Sequence, residues 1–177
     1  TERLVLNTMQ RMSGISTMTK SLKNKIKNFN CNILDTRKTS PNFRYPEKWA
    51  VKIGGGENHR MGLFDSIIIK DNHIDYCGGI KNTLLKVGKY LEKMKGKKPI
   101  LIVETRTLKE INDVIKFNFV DRILLDNMNT SKLKKAVKII NKKVKVEASG
   151  NINSSNIQKI AETGIDYISV GAITHSA

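Results

Sequence analysis

The chain has 177 residues, 39% hydrophobic and 27% charged, with Lys+Arg 32 against Asp+Glu 16 for a formal net charge of +16. That is one domain of ordinary size with enough apolar side chains to bury a core, which argues against disorder. No apolar run approaches the ~20 residues that span a bilayer, and no signal peptide opens the chain, which starts on Thr1 directly in a helical pattern, as a piece of something longer would.

In chain order, residues 2–23 read as a helix. Leu4, Val5, Met9, Met12, Ile15 and Met18 recur at three- and four-residue steps as an amphipathic stripe, its methionines read as core filler. Arg3 sits in the first turn, where a cation opposes the helix dipole, so helix stability does not explain it. After a polar break at 28–32, residues 32–35 form a short strand that ends in Thr36-Arg37-Lys38-Thr39. Pro41 and Pro46 bracket a loop, and 49–53 lead into Gly54-Gly55-Gly56, a stretch whose backbone can take positive φ and approach another group closely. His59 and Arg60 follow.

Residues 66–70 are the next strand, with Ile67 to Ile69 expected to be fully buried, ending in Lys70-Asp71-Asn72-His73. Residues 82–94 read as a helix with Leu84, Leu85, Val87, Leu91 and Met94 inward, then 100–103 as a strand ending in Glu104. A helix over 108–117 precedes a strand over 122–125 ending in Asp126-Asn127. A basic helix over 131–141, with Leu133, Ala136, Val137 and Ile140 inward, precedes a strand over 144–146 ending in Glu147-Ala148-Ser149-Gly150. The last pair is a helix over 153–163, with Asn153 or Ser154 as N-cap and Gly164 at C′, and a strand over 167–170 ending in Gly171.

Six short strands separated mostly by helices demand parallel pairing with right-handed crossovers. The expected fold class is therefore α/β, a parallel (β/α) barrel of TIM-like kind, closed or partly open, preceded by an N-terminal helix. A doubly wound sheet is the alternative, because periodicity does not show closure.

In a parallel barrel all carboxyl ends of the strands open on one face. Arg37, Lys38, Lys70, Glu104, Asp126, Glu147, Ser149, Gly150, Gly171 and His175 would form one ring there. Its carboxylates suit a hard cation such as Mg²⁺ or sugar hydroxyls, and its glycines suit a phosphate on backbone N–H groups. His59, Arg60 and Lys70, read as cations, would converge on carboxylates or phosphates. The ring alone points to a phospho-sugar site with a divalent metal beside a second anionic substrate.

The charge invites a nucleic-acid reading. Yet the lysines are scattered on what look like solvated helix faces and loops, in a chain also rich in Asn and Ile. Cys31 and Cys77 fit no metal or redox motif and read as reduced and cytoplasmic, Cys31 packed near a strand and Cys77 in a loop.

Long segments of the chain also resemble a known family. They are Glu2-Arg3 with Leu6-Asn7, Met12-Ser13-Gly14-Ile15, Asp35-Thr36-Arg37-Lys38-Thr39, the triple glycine with Asn58-His59-Arg60-Met61-Gly62-Leu63, Ile69-Lys70-Asp71-Asn72-His73, Leu125-Asp126-Asn127-Met128, Glu147-Ala148-Ser149-Gly150-Asn151-Ile152, and Ser169-Val170-Gly171-Ala172 with Thr174-His175-Ser176. Together they resemble quinolinate phosphoribosyltransferase, also called carboxylating nicotinate-nucleotide pyrophosphorylase, over the whole chain.

The resemblance implies that residues 1–177 are the α/β-barrel domain, without the family's preceding sandwich domain and its final segment. It implies the reaction of quinolinate and phosphoribosyl pyrophosphate, with Mg²⁺, to nicotinate mononucleotide, pyrophosphate and CO₂ in NAD biosynthesis. Arg37, His59, Arg60 and Lys70 would hold the quinolinate carboxylates. Arg3 would reach into the partner subunit's site of a homodimer or higher oligomer. Lys38, Glu104 and Asp126 would attend pyrophosphate, metal and ribose, and Lys38, Lys70, Glu104 and Asp126 would be the catalytic set. Ser149, Gly150, Gly171 and His175 would cradle the 5′-phosphate. Ile102 and Arg106 stand where the family usually has acids around Glu104. A related paralogue associated with molybdenum transport, or a basic nucleic-acid-binding protein, are the alternatives. No membrane or specific nucleic-acid partner is expected.

Overall fold

The structure, a computed structural model, describes residues 2–177. Its elements run α1 (Glu2–Lys25), β1 (Asn32–Leu34), α2 (Arg44–Ile53), β2 (Ser66–Ile69), α3 (Asp71–Tyr76), α4 (Ile80–Lys93), β3 (Ile100–Thr105), α5 (Leu108–Val114), β4 (Arg122–Asp126), α6 (Thr130–Ile140), β5 (Lys145–Ser149), α7 (Ile157–Ala161), β6 (Tyr167–Ser169) and α8 (Ala172–His175). The strands form one 6-stranded parallel sheet in the order β1-β6-β5-β4-β3-β2. This is the expected α/β architecture with its leading helix, in the partly open form: β1 and β2 are edges.

Local chemistry places the helix ends. Thr107 opens α5 with a capping box, its hydroxyl accepting from Glu110 N while the Glu110 carboxylate accepts from Thr107 N. Asn129 caps α6 by accepting from Lys132 N, and Asn141 closes it in the left-handed region at φ 46. The last long helix is shorter than its pattern: Asn153 to Asn156 form a turn in which Asn153 Oδ1 accepts from Ser155, and α7 begins only at Ile157.

Side-chain alternation separates the sheet's two faces. Ile33, Leu101, Val103, Ile123, Leu125, Val146, Ala148, Ile168 and Val170 meet Leu84, Ile111, Leu133, Ala136 and other helix residues in the main core. The opposite parity, with Ile68, Glu104, Leu124, Asp126, Glu147, Ser149 and Ser169, faces the barrel interior. Hydrophobic burial therefore lies mostly outside the sheet, which leaves the inside free for polar work.

Four expectations need correction. Residues 44–53 are a helix, not a lead-in to a loop. Pro46 sits in its first turn, where no N–H is needed. Ile67 and Ile68 are only half-buried, because β2 is an edge strand with one neighbour. Leu4, Val5 and Met9 are 73%, 52% and 61% exposed, since α1 reaches the core only from Met12 onward. Leu85 is likewise exposed, whereas Thr83 is buried beside Leu84 on α4.

The triple glycine proves to be a packing device. A Cβ on Gly54 would lie 2.5 Å from Ser16 O and 2.6 Å from Thr19 Cβ, and one on Gly56 2.9 Å from Thr19 Cγ2. Gly55 takes φ 84. The close approach is to α1, not to a ligand. Beyond it, Glu57 pairs with β1 through Glu57 N→Ile33 O at 2.8 Å and Asp35 N→Glu57 O at 3.2 Å, so the chain lies extended beside the open edge and delivers Asn58, His59 and Arg60 into the barrel mouth.

A buried ion pair fixes that delivery. Lys48 of α2 donates to Asp35 Oδ1 and to His59 O at 3.0 Å, both side chains being fully buried. Asp35 also accepts from Asn58 Nδ2 at 2.6 Å and His59 N at 2.8 Å. Burial pushes the Asp35 carboxyl up and the Lys48 ammonium down, each held back by the other's charge. Lys48→Met should therefore destabilise the protein by about 3–5 kcal/mol, because it strands a buried carboxyl. A shift in the urea midpoint at constant slope measures this; a loss below about 1 kcal/mol would mean that Asn58 and His59 N alone suffice.

Candidate active site

The expected ring converges. A cleft of about 510 Å³ at the carboxyl ends of the strands is lined by Thr36, Arg37, Lys38, His59, Arg60, Ile68, Lys70, Asp71, Glu104, Leu124, Asp126, Glu147, Ser149 and Ser169. It continues into one of about 610 Å³, where Lys38, Asp126 and Ser149 are joined by Asn127, Gly150, Asn151, Gly171 and His175. Arg3 lies apart, exposed on the first turn of α1 and absent from both linings. A larger concavity of about 810 Å³ opens at the opposite end of the barrel, beside the Lys145–Asp166 pair, away from all of these residues.

One wall is cationic. Arg37 Nε is buried without a hydrogen-bond partner. Arg60 donates from Nη1 to Ser66 O at 3.2 Å, which ties it to the edge of β2. Burial, with the Arg37 charge adding to it, brings the Arg60 guanidinium down from its ordinary value, and Asp65 pulls it back. Two guanidiniums crowded this way favour an anion between them. Lys70 is exposed at the end of β2 and closes this wall.

The facing wall is acidic. Burial pushes the Glu104 carboxyl up; Lys70 opposes the rise, while the charges of Asp126 and Asp71 add to it. Asp126 accepts from Asn127 Nδ2 at 2.7 Å. Arg106, which replaces an expected acid, turns away and pairs with Asp75 at 3.0 Å and Glu110 at 3.6 Å on the outside. Ile102 is buried one interior position below Glu104. Neither replacement lines the cleft.

The second lobe is built from turns. Gly150 has φ 96, and a Cβ there would fall 2.2 Å from Asn127 Oδ1. Asn127 and Asn151 also take positive φ, and Asn151 Nδ2 donates to Asn127 Oδ1 at 3.1 Å. Across from them, Gly171 precedes α8, with the His175 ring 3.2 Å from where a Cβ would be. Small residues and exposed backbone here suit a phosphate.

Sequence reasoning placed Glu147 in the ring but not its role. It is fully buried beneath the cleft, accepting from Arg122 Nη1 at 2.9 Å, from Ser169 Oγ, and from His59 Nε2 at 3.3 Å. Burial would push its carboxyl up, but these hydrogen bonds, led by that of His59, hold it below the ordinary value. Arg122 in turn stacks 4.1 Å over the Tyr167 ring. The period-2 pattern of β4 to β6 could have flagged Arg122, Glu147 and Ser169 as one interior layer.

Comparisons with known proteins point to one family. A family model described as "Quinolinate phosphoribosyl transferase, C-terminal domain" matches residues 15–177. The rice protein named nicotinate-nucleotide pyrophosphorylase [carboxylating], chloroplastic, is 49% identical over 99% of this chain and 50% of its own length. A mitochondrial quinolinate phosphoribosyltransferase [decarboxylating] of Nicotiana glauca is 48% identical over 99% of this chain and 53% of its own. Among solved structures, NadC from Streptococcus pyogenes superposes with a TM-score of 0.92 at 37% identity, covering 99% of this chain and 60% of that one. The chain spans about half the length of the curated relatives it matches.

Proposed function

Because the chain belongs to the quinolinate phosphoribosyl transferase family, as its C-terminal domain, we propose that the whole protein converts quinolinate and phosphoribosyl pyrophosphate to nicotinate mononucleotide, pyrophosphate and CO₂. The observation that carries this is the pairing, in one cleft, of a cationic wall with an acidic wall and a glycine-rich lobe. Arg37, Arg60 and Lys70 hold the two carboxylates of quinolinate, with His59 beside them. Ser149, Gly150, Gly171 and His175 receive the 5′-phosphate. Glu104 and Asp126 face the ribose, with Lys38 and Lys70 toward the pyrophosphate.

In this arrangement the pyridine nitrogen attacks C1 of the ribose as the C1–oxygen bond to pyrophosphate breaks. Positive charge developing at C1 is matched by the carboxylates of Glu104 and Asp126, and negative charge on the leaving group by the lysines. The ring nitrogen, now cationic, accepts the electron pair released when the adjacent carboxylate leaves as CO₂, and C2 then takes a proton. Arg37 and Arg60 keep both carboxylates in register until the bond breaks.

Among the described residues no group of three or more His, Cys, Asp or Glu could cage a metal. Two carboxylates fit Mg²⁺ well all the same, because it keeps waters and substrate phosphates as its other ligands. Bound with the substrate there, it would neutralise the departing pyrophosphate.

The family resemblance implies a sandwich domain ahead of this barrel in the whole protein, and the relatives' greater length leaves room for one. The exposed Leu4, Val5, Leu6 and Met9 beside Arg3 support a homodimer that covers this face. No helix among the described residues is long and apolar enough to cross a membrane. Both cysteines are free, which suits a reducing compartment such as the cytoplasm, although the relatives include chloroplastic and mitochondrial proteins. The direct test is to incubate the full-length protein with quinolinate, phosphoribosyl pyrophosphate and Mg²⁺. Nicotinate mononucleotide and CO₂ should appear in equal amounts; no product would refute the assignment.

The lysines of α4 to α6 and their loops, from Lys93 to Lys143, are largely exposed and form no part of the cleft. DNA binding should therefore be weak, indifferent to sequence and steeply lost with added salt. A nanomolar, sequence-dependent complex at physiological salt would add a second function.

A further inference from the structure

We infer that Glu147 is a positioning residue that holds His59 in a single tautomer, so that quinolinate is clamped by Arg37, Arg60 and Lys70 without an N–H from the imidazole. The inference rests on the functional reading above for the identity of the ligand, but its geometry is independent of that reading.

Both ring nitrogens of His59 are engaged by the protein. The backbone N–H of Arg60 donates to Nδ1 at 2.7 Å, so Nδ1 presents its lone pair and carries no proton. Nε2 lies 3.3 Å from Glu147 Oε1. That oxygen belongs to an ionised carboxylate, which only accepts, and Nε2 must therefore carry the N–H. One tautomer meets both demands, and the other would set a donor against a donor at Nδ1 and an acceptor against an acceptor at Nε2.

The carboxylate is itself held rigidly. Ser169 Oγ donates to the oxygen that His59 uses, Arg122 Nη1 donates to the other at 2.9 Å, and the Arg122 guanidinium rests on Tyr167. The His59 side chain is 8% exposed and Glu147 fully buried, so water does not compete for these bonds. The imidazole thus offers the cleft its ring edge, while its position fixes the backbone that carries Arg60. This differs from the cationic role expected of His59 from its neighbours in sequence.

Two measurements on the full-length enzyme decide the matter. Long-range ¹H–¹⁵N spectra of histidine-labelled protein, with His59 assigned by its loss in His59→Gln, should show a protonated Nε2 and an unprotonated Nδ1. A doubly protonated ring, or the Nδ1–H tautomer, would overturn the proposal whether or not the enzyme turns quinolinate over. Glu147→Gln places an amide against Nε2 and removes the ionised acceptor. It should raise the KM for quinolinate about tenfold or more, the effect usual for loss of an orienting partner, while the KM for phosphoribosyl pyrophosphate stays within about twofold. A folded Glu147→Gln enzyme with unchanged quinolinate KM would also overturn it. If Glu147→Gln does not fold, the wild-type spectrum alone decides. Absence of any turnover by the wild type, with the expected tautomer present, would refute the proposed reaction and leave the positioning role standing.

Discussion

Mixing two inactive variants, Arg3→Ala and Arg60→Ala, should restore activity to about a quarter of wild type after full random subunit exchange. Arg3 is exposed on the first turn of α1 and does not line its own chain's cleft. A cation there gains nothing from the helix dipole, so its placement asks for a partner outside the chain. A two-fold interface is self-complementary, and each subunit would then lend one Arg3 and receive one. An Arg3→Ala dimer lacks the arm at both sites, and an Arg60→Ala dimer has a defective pocket at both. In a mixed dimer one site combines both defects. The other joins the intact pocket of the Arg3→Ala chain to the intact arm of the Arg60→Ala chain. No recovery despite demonstrated exchange would place Arg3 in its own subunit's site or outside catalysis.

Lys70→Ala should lower kcat/KM by at least about 10-fold, and Arg60→Ala by about 100-fold or more, in an otherwise folded enzyme. One hydrogen bond from a charged group to a bound carboxylate contributes about 1.5–3 kcal/mol, a factor of roughly 10 to 150, and a guanidinium can make two. The two variants differ in structural cost. Arg60 also braces β2 through Ser66 O, so its removal should lower stability slightly as well. Lys70 is exposed and is not among the paired lysines of the described residues, so Lys70→Ala should keep the melting temperature of the wild type. Near-normal turnover in either variant would remove that residue from the carboxylate clamp.

Much of this site is legible in the sequence. Alternating strands and helices impose parallel pairing, and parallel pairing puts every strand end on one face, so Arg37, Lys70, Glu104, Asp126, Ser149 and Gly171 had to converge. Helix 44–53 escaped because its start carries Pro46 and its outer face exposes Tyr45, Trp49 and Ile53, which blurs the apolar stripe. The long motifs that resemble the family carried the proposed reaction, because they join residues from many strand ends whose individual chemistry is unspecific.

By itself, then, the sequence determined the order of the six strands and of the longer helices between them, the end of the barrel at which the charged and small residues gather and the sign of charge on each wall, since these follow from periodicity and from where each strand stops. The tertiary structure alone decided what covers each face. Periodicity marks Leu4, Val5 and Met9 as apolar but does not say that α1 meets the core only beyond them, through Met12, Ile15, Met18 and Leu22. A glycine run announces a close approach but not its object, which is Thr19 of α1. A glutamate at a strand end looks like a ligand for substrate until Arg122, Ser169 and His59 are seen to use its oxygens. Each of these depends on contacts between segments far apart in the chain, and no local pattern encodes which distant surface will arrive.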